Sequence, residues 1–229
     1  MRLFERIVVA TDSSEVEALC RELGAPVVMT RADHPSGTDR VAEVVERPEF
    51  RDFPVVVNIQ GDEPLVSEDH LARVIALVRE GGWEVGTCAA PVRTLAAFRD
   101  PGVVKVVRGT DGRGLYFSRA PIPHRRDADP GDVELGSPPF LRHVGVYAYR
   151  REALLRWVSL VPSPLETLER LEQLRALENG IEIGVALVDR AARGVDTEED
   201  ARAIEPLLAA SMDSGARNRN SSSWTLTRT

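Results

Sequence analysis

Lysine is all but absent from this sequence. Lys105 is the only one, and every other member of the 29 lysines and arginines is arginine. A bias of that kind reflects genome composition, and it makes the one remaining lysine worth inspecting. Cysteine is scarce as well. Cys20 and Cys88 lack any metal-type spacing and sit in apolar patterns, one in a helix and one in a strand, so they read as buried free thiols in a reducing, cytoplasmic compartment. No apolar run approaches the roughly 18–20 residues of a membrane span. The first residues, Met1 to Arg6, show no signal-peptide core or cleavage site. Positive charge is not in excess: the net charge of −7 excludes a general nucleic-acid or acidic-membrane surface, though not a local pocket for a small anion. There is no internal repeat.

What is present is ordinary for a globular α/β chain: 229 residues, 43% apolar and 28% charged. That length supports one domain with a real core, or at most two small ones. Short β-branched runs at Ile7–Thr11, Pro26–Met29, Pro54–Ile59 and Val85–Val92 predict strands. Between them, patterns opening at Ser14, Thr38 and Ser67 predict helices, and a short helix is expected over Thr94–Phe98. Pro54–Ile59, apolar apart from Asn58, has the pattern of a central parallel strand. This alternation implies a parallel sheet with helices on both faces. From Pro101 onward, Val103–Val107, Gly114–Ser118 and Arg142–Tyr149 predict strands of an antiparallel or mixed extension, followed by a helix from Ser163-Pro164 to about Glu178, a strand over Ile181–Val188 and a helix from Thr197 to about Ala210. The domain is expected to end at residue 213. Residues 214–229, poor in apolar side chains, predict a disordered tail.

Several segments can carry chemistry. Gln60-Gly61-Asp62-Glu63-Pro64 follows a buried strand, where ligands of open α/β sheets bind, and Asp62 can hold a hard cation such as Mg²⁺ or simply be a solvated turn residue. Asp196, in Gly194-Val195-Asp196-Thr197, reads as a second metal ligand or as a helix cap. The two could share a cation only if both loops open on one sheet edge, which spacing does not reveal. Thr30 to Arg40, with Arg31, Ser36, Gly37 and Thr38, offers hydroxyls and backbone N–H groups to a base or phosphate, or is a capped loop. Arg119, after a strand, can grip a carboxylate bidentately. His143, Gly145 and Tyr147 alternate onto one strand face and can meet sugar hydroxyls or be half-buried. Glu172-Gln173 falls mid-helix, where plain surface is the simpler reading.

Taken in order, Arg31…Ser36-Gly37-Thr38-Asp39-Arg40, Gln60-Gly61-Asp62-Glu63-Pro64, Val104-Lys105-Val106-Val107, Tyr116-Phe117-Ser118-Arg119-Ala120, Leu141-Arg142-His143, Ser163-Pro164-Leu165-Glu166, Leu171-Glu172-Gln173-Leu174-Arg175 and Val195-Asp196-Thr197 resemble the 3-deoxy-manno-octulosonate cytidylyltransferases from about Arg6 to Leu208. The resemblance implies an α/β nucleotidyltransferase fold with a mixed, mainly parallel sheet, and a cytoplasmic homodimer. The implied reaction is Mg²⁺-dependent transfer of CMP from CTP to 3-deoxy-D-manno-octulosonate, with release of pyrophosphate, for lipopolysaccharide synthesis. It also implies residue roles: Asp62 and Asp196 on the metal; Arg31, Ser36, Gly37, Thr38 and Gln60 on the nucleotide; Gln60, Arg119, His143, Tyr147, Glu172 and Gln173 on the sugar. The catalytic group would be Asp62, Asp196 and Arg119. A related enzyme acting on an amino-substituted octulosonate or a sialic acid is an alternative. The family's opening Pro-Ala-Arg…Ser-x-Arg-x-Pro-x-Lys phosphate loop has no counterpart in residues 1–229, so an inactive remnant is another, and an uncovered strand edge is expected beside Ile7–Thr11.

Overall fold

The computed structural model describes residues 3–61, 63–191, 195 and 197–219, with the side chains of residues 200 and 210–219 also left aside. Asp62, Asp196 and residues 220–229 of the expected tail lie outside the described residues. The chain runs β1 (Val9–Thr11), α1 (Ser14–Glu22), β2 (Val27–Met29), α2 (Gly37–Glu46), β3 (Val55–Ile59), α3 (Glu68–Arg79), β4 (Val85–Pro91), α4 (Leu95–Arg99), β5 (Lys105–Arg108) and β6 (Gly114–Ser118). It continues with α5 (Asp132–Leu135), β7 (Leu141–Arg150), α6 (Arg151–Ser159), α7 (Pro164–Glu169), α8 (Gln173–Glu178), β8 (Ile183–Leu187) and α9 (Glu198–Arg219).

Hydroxyl caps set most helix starts. Ser36, Ser67, Thr94 and Ser163 each accept a hydrogen bond from the backbone N–H three residues on, satisfying a donor the helix itself leaves unpaired. At α1 the cap is Ser13 rather than Ser14, one residue earlier than the sequence spacing suggested. Gly24, past the end of α1, takes φ +67°, the left-handed conformation that favours glycine. Helix α6, which the sequence analysis did not anticipate, buries Leu154 and Trp157. Helix α9 extends to Arg219, beyond the expected end near Ala210.

The ten-residue β7 organises the larger sheet. It pairs antiparallel with β4 along one side and with β3 and β5 along the other, while β4 continues in parallel to β8 and β5 in antiparallel fashion to β6. Consequently β3, β4, β5 and β8 all point one way and only β6 and β7 oppose them. The mainly parallel direction agrees with expectation, but two details differ. Strand β3 has no parallel neighbour among the described residues; its apolar run reports burial on two faces, not the direction of its partner. And β7 is no peripheral extension but the sheet's centre. Strands β1 and β2 form a separate parallel pair. Among the described residues β1 pairs only with β2, and Ile7 before it is 66% exposed.

Each face of the sheet carries its own core. On one, Ala42 and Val45 of α2, Leu154 and Trp157 of α6 and Leu174 of α8 pack on Tyr147 and Tyr149. On the other, Leu71, Val74 and Val78 of α3 pack on Val144, Val146 and Ala148. The β7 alternation thus divides its side chains between two helical layers. Both cysteines are buried and free, and burial pushes the Cys88 thiol up to about 12.

Gly86 lets α3 lie against β4: a Cβ there would sit 2.7 Å from the Val74 carbonyl oxygen. Backbone cannot yield as a flexible side chain can, so Gly86→Ala should destabilise by about 1–3 kcal/mol, lowering the melting temperature by several degrees. An unchanged melting curve would show that helix and strand are not so closely apposed.

Candidate active site

Aromatic and polar groups from distant segments converge on one face of β7. His143 packs edge-on against Phe117 with ring centroids 5.2 Å apart, and lies 5.3 Å from Tyr147, which stacks on Tyr149 at 5.8 Å. Thr87 Oγ1 lies 2.9 Å from both His143 Nε2 and the Val146 carbonyl. A threonine hydroxyl has one proton, and the carbonyl can only accept it. When the hydroxyl gives its proton to the carbonyl, its oxygen accepts from Nε2–H and Nδ1 of the neutral imidazole is left as an acceptor. Burial, and next the nearby Arg142 charge, push the His143 pKa down to about 3.

A second group joins the start of α2 to the start of α8. Thr38, 1% exposed, donates its hydroxyl to Glu172 Oε1 at 2.7 Å across 134 residues of sequence. Asn58 and Tyr149 lie beside Thr38. Burial, then the Glu172 charge, raise the Tyr149 pKa above the ordinary phenol value. Asn58 Nδ2, Tyr149 Oη and Glu172 Oε2 are buried without a hydrogen-bond partner among the described residues. Glu172 is therefore not mid-helix surface: the expected Ser163–Glu178 helix breaks at Arg170, φ +53°, placing Glu172 at the N-cap of α8 and burying Gln173. Ser36 both accepts from the Asp39 N–H and donates to the Asp39 carboxylate, so what this turn leaves for a ligand is chiefly its backbone N–H groups.

The break in the helix has an identifiable partner. Arg119 donates Nε to the Glu169 carbonyl at 2.8 Å, Nη1 to the Pro101 carbonyl at 3.0 Å and Nη2 to the Arg170 carbonyl at 3.3 Å. Three of its five donors are thus committed to backbone, leaving two to face an anion. Beneath it, the fully buried Lys105 donates Nζ to the carbonyls of Asp100, Val103 and Arg119. The sole lysine is a brace for the end of β6, and burial lowers its pKa. Arg31, placed by sequence with the nucleotide-facing turn, donates its backbone N–H to Glu43 Oε2 at 3.0 Å, while His34 reaches the same oxygen. The Arg31 backbone bond is the main reason the Glu43 carboxyl falls to about 2.

The carboxyl ends of β3, β4 and β8 share one sheet edge, because β3 and β4 both run against β7 and β8 runs with β4. Strands β3 and β8 therefore end on the same side of the sheet, while Asp62 and Asp196 lie outside the described residues. Gln60 and Glu63 approach Gly145, where the missing side chain makes room. On this edge Arg93, Arg142 and Arg190 line a cleft of about 380 Å³. Within the described residues no group of three His, Cys, Asp or Glu side chains is positioned to hold a metal. Asn58, Thr87, Tyr149 and the cleft arginines were not singled out from sequence. Tyr149, two residues beyond Tyr147, could have been found from the same alternation; the others depend on strand pairing.

His143 stays neutral in the folded chain until about pH 3, whereas an unfolded histidine takes up its proton near 6.5. Between these values the unfolded state binds more protons, so this group's contribution to stability falls as pH drops from about 6.5 toward about 3. His143→Gln should flatten that part of the stability profile, and the imidazole resonances should not titrate between about pH 5 and 8. An NMR midpoint near 6.5 would refute the tautomer and burial assigned here. Arg119→Ala should loosen the β6 end, leaving three carbonyls unpaired, and lower the melting temperature. It should also weaken an acidic ligand by about 10- to 150-fold; unchanged binding of that ligand would restrict Arg119 to the bracing role.

The sequence model described as cytidylyltransferase matches residues 1–183. The 3-deoxy-manno-octulosonate cytidylyltransferase of Gemmatimonas aurantiaca is 54% identical over 196 residues, covering 86% of this chain and 75% of that protein. Its counterpart from Syntrophotalea carbinolica is 47% identical over 207 residues, covering 89% and 82%. A solved CMP:2-keto-3-deoxy-manno-octonic acid synthetase complexed with CTP superposes with a TM-score of 0.79 at 36% identity, covering 90% of this chain and 81% of that one. The Anaerococcus prevotii 4-diphosphocytidyl-2C-methyl-D-erythritol synthase, at 12% identity and a TM-score of 0.52, shares the fold alone. With a family model spanning most of its length and relatives near half identical, the chain belongs to the cytidylyltransferase family.

Proposed function

We propose that this protein transfers CMP from CTP to 3-deoxy-D-manno-octulosonate, releasing pyrophosphate, in the synthesis of lipopolysaccharide. The observation that carries the reading is the cluster of polar and aromatic side chains on one face of β7, in a chain 54% identical to a 3-deoxy-manno-octulosonate cytidylyltransferase. Such a set suits a polyhydroxylated acid. Arg119 offers its two remaining N–H groups to the carboxylate, while His143 Nδ1, Tyr147, Glu172, Gln173 and Gln60 meet hydroxyls. The turn Ser36-Gly37-Thr38 presents backbone N–H groups at the start of α2 to the nucleotide, with Arg31 and Gln60 alongside. The sugar's anomeric hydroxyl oxygen attacks the α-phosphorus in line; the new P–O bond forms as the α–β anhydride bond breaks and pyrophosphate leaves. Catalysis of this kind is mainly positioning and charge neutralisation, and the cleft of Arg93, Arg142 and Arg190 adds positive charge on the same sheet edge.

Asp62 and Asp196 would hold Mg²⁺, for which two hard carboxylates are suitable donors; the ion would supply Lewis-acid neutralisation of phosphate charge. The working form is a cytoplasmic homodimer. No helix among the described residues is long and apolar enough to cross a membrane.

The test is pyrophosphate release by the purified protein with CTP, the sugar acid and Mg²⁺. Activity should require CTP over UTP and ATP, and should favour 3-deoxy-D-manno-octulosonate over its amino-substituted analogue and over sialic acid. Equal turnover with the other nucleotides would overturn the assignment. Asp62→Asn should lower the rate by more than about 10²-fold, by analogy with the loss of other charge-stabilising groups; near-normal activity would remove Asp62 from the metal site.

A further inference from the structure

Thr38 stands in the turn assigned to the nucleotide, yet its hydroxyl points elsewhere. We propose that Thr38 is a positioning residue for sugar recognition: it pins one oxygen of the Glu172 carboxylate so that the other, Oε2, accepts a hydroxyl of the sugar acid. This rests on the sugar-acid reading above and identifies how one end of that substrate is read.

The direction of the bond is fixed by chemistry. A carboxylate oxygen only accepts, so the single Thr38 proton is committed to Glu172 Oε1 at 2.7 Å and is unavailable to a base or phosphate. With Thr38 only 1% exposed, its oxygen is also closed to approach from solvent. The terminal torsion of a glutamate is intrinsically broad, and a charge-assisted bond at one oxygen sets where the other points. That other oxygen, Oε2, is buried with no hydrogen-bond partner among the described residues, and no arginine or lysine there forms an ion pair with Glu172. An acceptor so placed calls for a donor. The Tyr149 hydroxyl lies within hydrogen-bonding reach of Thr38 and Asn58 at the same place. Of the groups the substrates carry, a neutral sugar hydroxyl fits: it can donate to Oε2 and accept from a phenol or an amide. A phosphate or the sugar's own carboxylate would instead meet an uncompensated negative charge.

The experiment is calorimetric titration of the full chain with 3-deoxy-D-manno-octulosonate and, separately, with CTP, together with pyrophosphate release. Thr38→Val keeps shape and removes the proton. It should weaken the sugar acid by about 10-fold while leaving CTP within about 2-fold, with a matching rise in sugar KM at little change in CTP KM. Thr38→Ser, which restores the hydroxyl, should recover sugar binding. Weakened CTP with intact sugar binding would show that the hydroxyl serves the nucleotide, and unchanged binding of both would also overturn the proposal. If Thr38→Val does not fold, Glu172→Gln decides: it retains an acceptor for Thr38 but replaces an acceptor with a donor toward the ligand. It too should weaken the sugar acid by about 10-fold at constant CTP affinity, and undiminished sugar binding would sink the idea. A wild-type chain that binds neither substrate would reject the functional reading and this inference with it. A wild type that binds both, beside an unaffected variant, would reject the inference alone.

Discussion

Everything in this molecule that concerns ligands hangs on β7 being paired along both sides. The strand is flanked by β4 on one side and by β3 and β5 on the other, so its backbone has no open edge over most of its length and its side chains must go into one helical layer or the other. Tyr147 and Tyr149 fall on the layer of α2, α6 and α8, and Val144, Val146 and Ala148 on that of α3. Because α2 and α8 both rest on the first layer, polar groups from both helices meet within this core. Rigid aromatic neighbours then hold the polar groups in place, and the same burial that stabilises the fold shifts the titration of His143, Tyr147 and Tyr149.

The buried charges follow a consistent pattern. Lys105 is satisfied by three backbone carbonyls rather than by a carboxylate, and Arg119 by three more. Carbonyl ligation meets the hydrogen-bonding needs of a cation without cancelling its charge, so the region around the end of β6 keeps positive character that an ion pair would have neutralised. Glu169 partly offsets it, accepting from the Ser118 hydroxyl and the Arg119 N–H. By contrast, Arg175 is paired directly with Glu166, an arrangement that fixes α7 against α8. The distinction separates cations that can still attract an anionic ligand from those that only join helices.

Much of the fold was legible in the chain because local chemistry dictates it. Ser36, Ser67, Thr94 and Ser163 are caps by virtue of a hydroxyl ahead of a periodic apolar stretch, and Ser67 and Ser163 cap where expected. The runs at Val55–Ile59 and Val85–Pro91 are strands because continuous β-branched and small apolar residues suit two buried faces. His143 and Tyr147 share a face because strand side chains alternate, and their rings do meet. The sequence order of motifs was enough to indicate the family, because short segments in a fixed order constrain identity more than any one of them does.

Other features depend on contacts between residues far apart, which no local pattern encodes. That β3 runs against β7, and that β3 and β8 end on one edge, follows from strand pairing between segments roughly a hundred residues apart. The split of the expected Ser163–Glu178 helix comes with Arg119 engaging the carbonyls of Glu169 and Arg170, a tertiary demand that overrides helix propensity. The role of Lys105 as a buried brace, rather than a ligand for phosphate, required three carbonyls to converge on one ammonium. And Thr38 and Glu172, separated by 134 residues, became a pair only when α2 and α8 settled on the same sheet face. The sequence by itself determined the strands, most of the helices and the family, since these depend on nearest neighbours and order along the chain. Which polar groups face one another was decided only by the tertiary structure, because a hydrogen bond is directional and short-ranged and forms only after packing has brought donor and acceptor within about 3 Å.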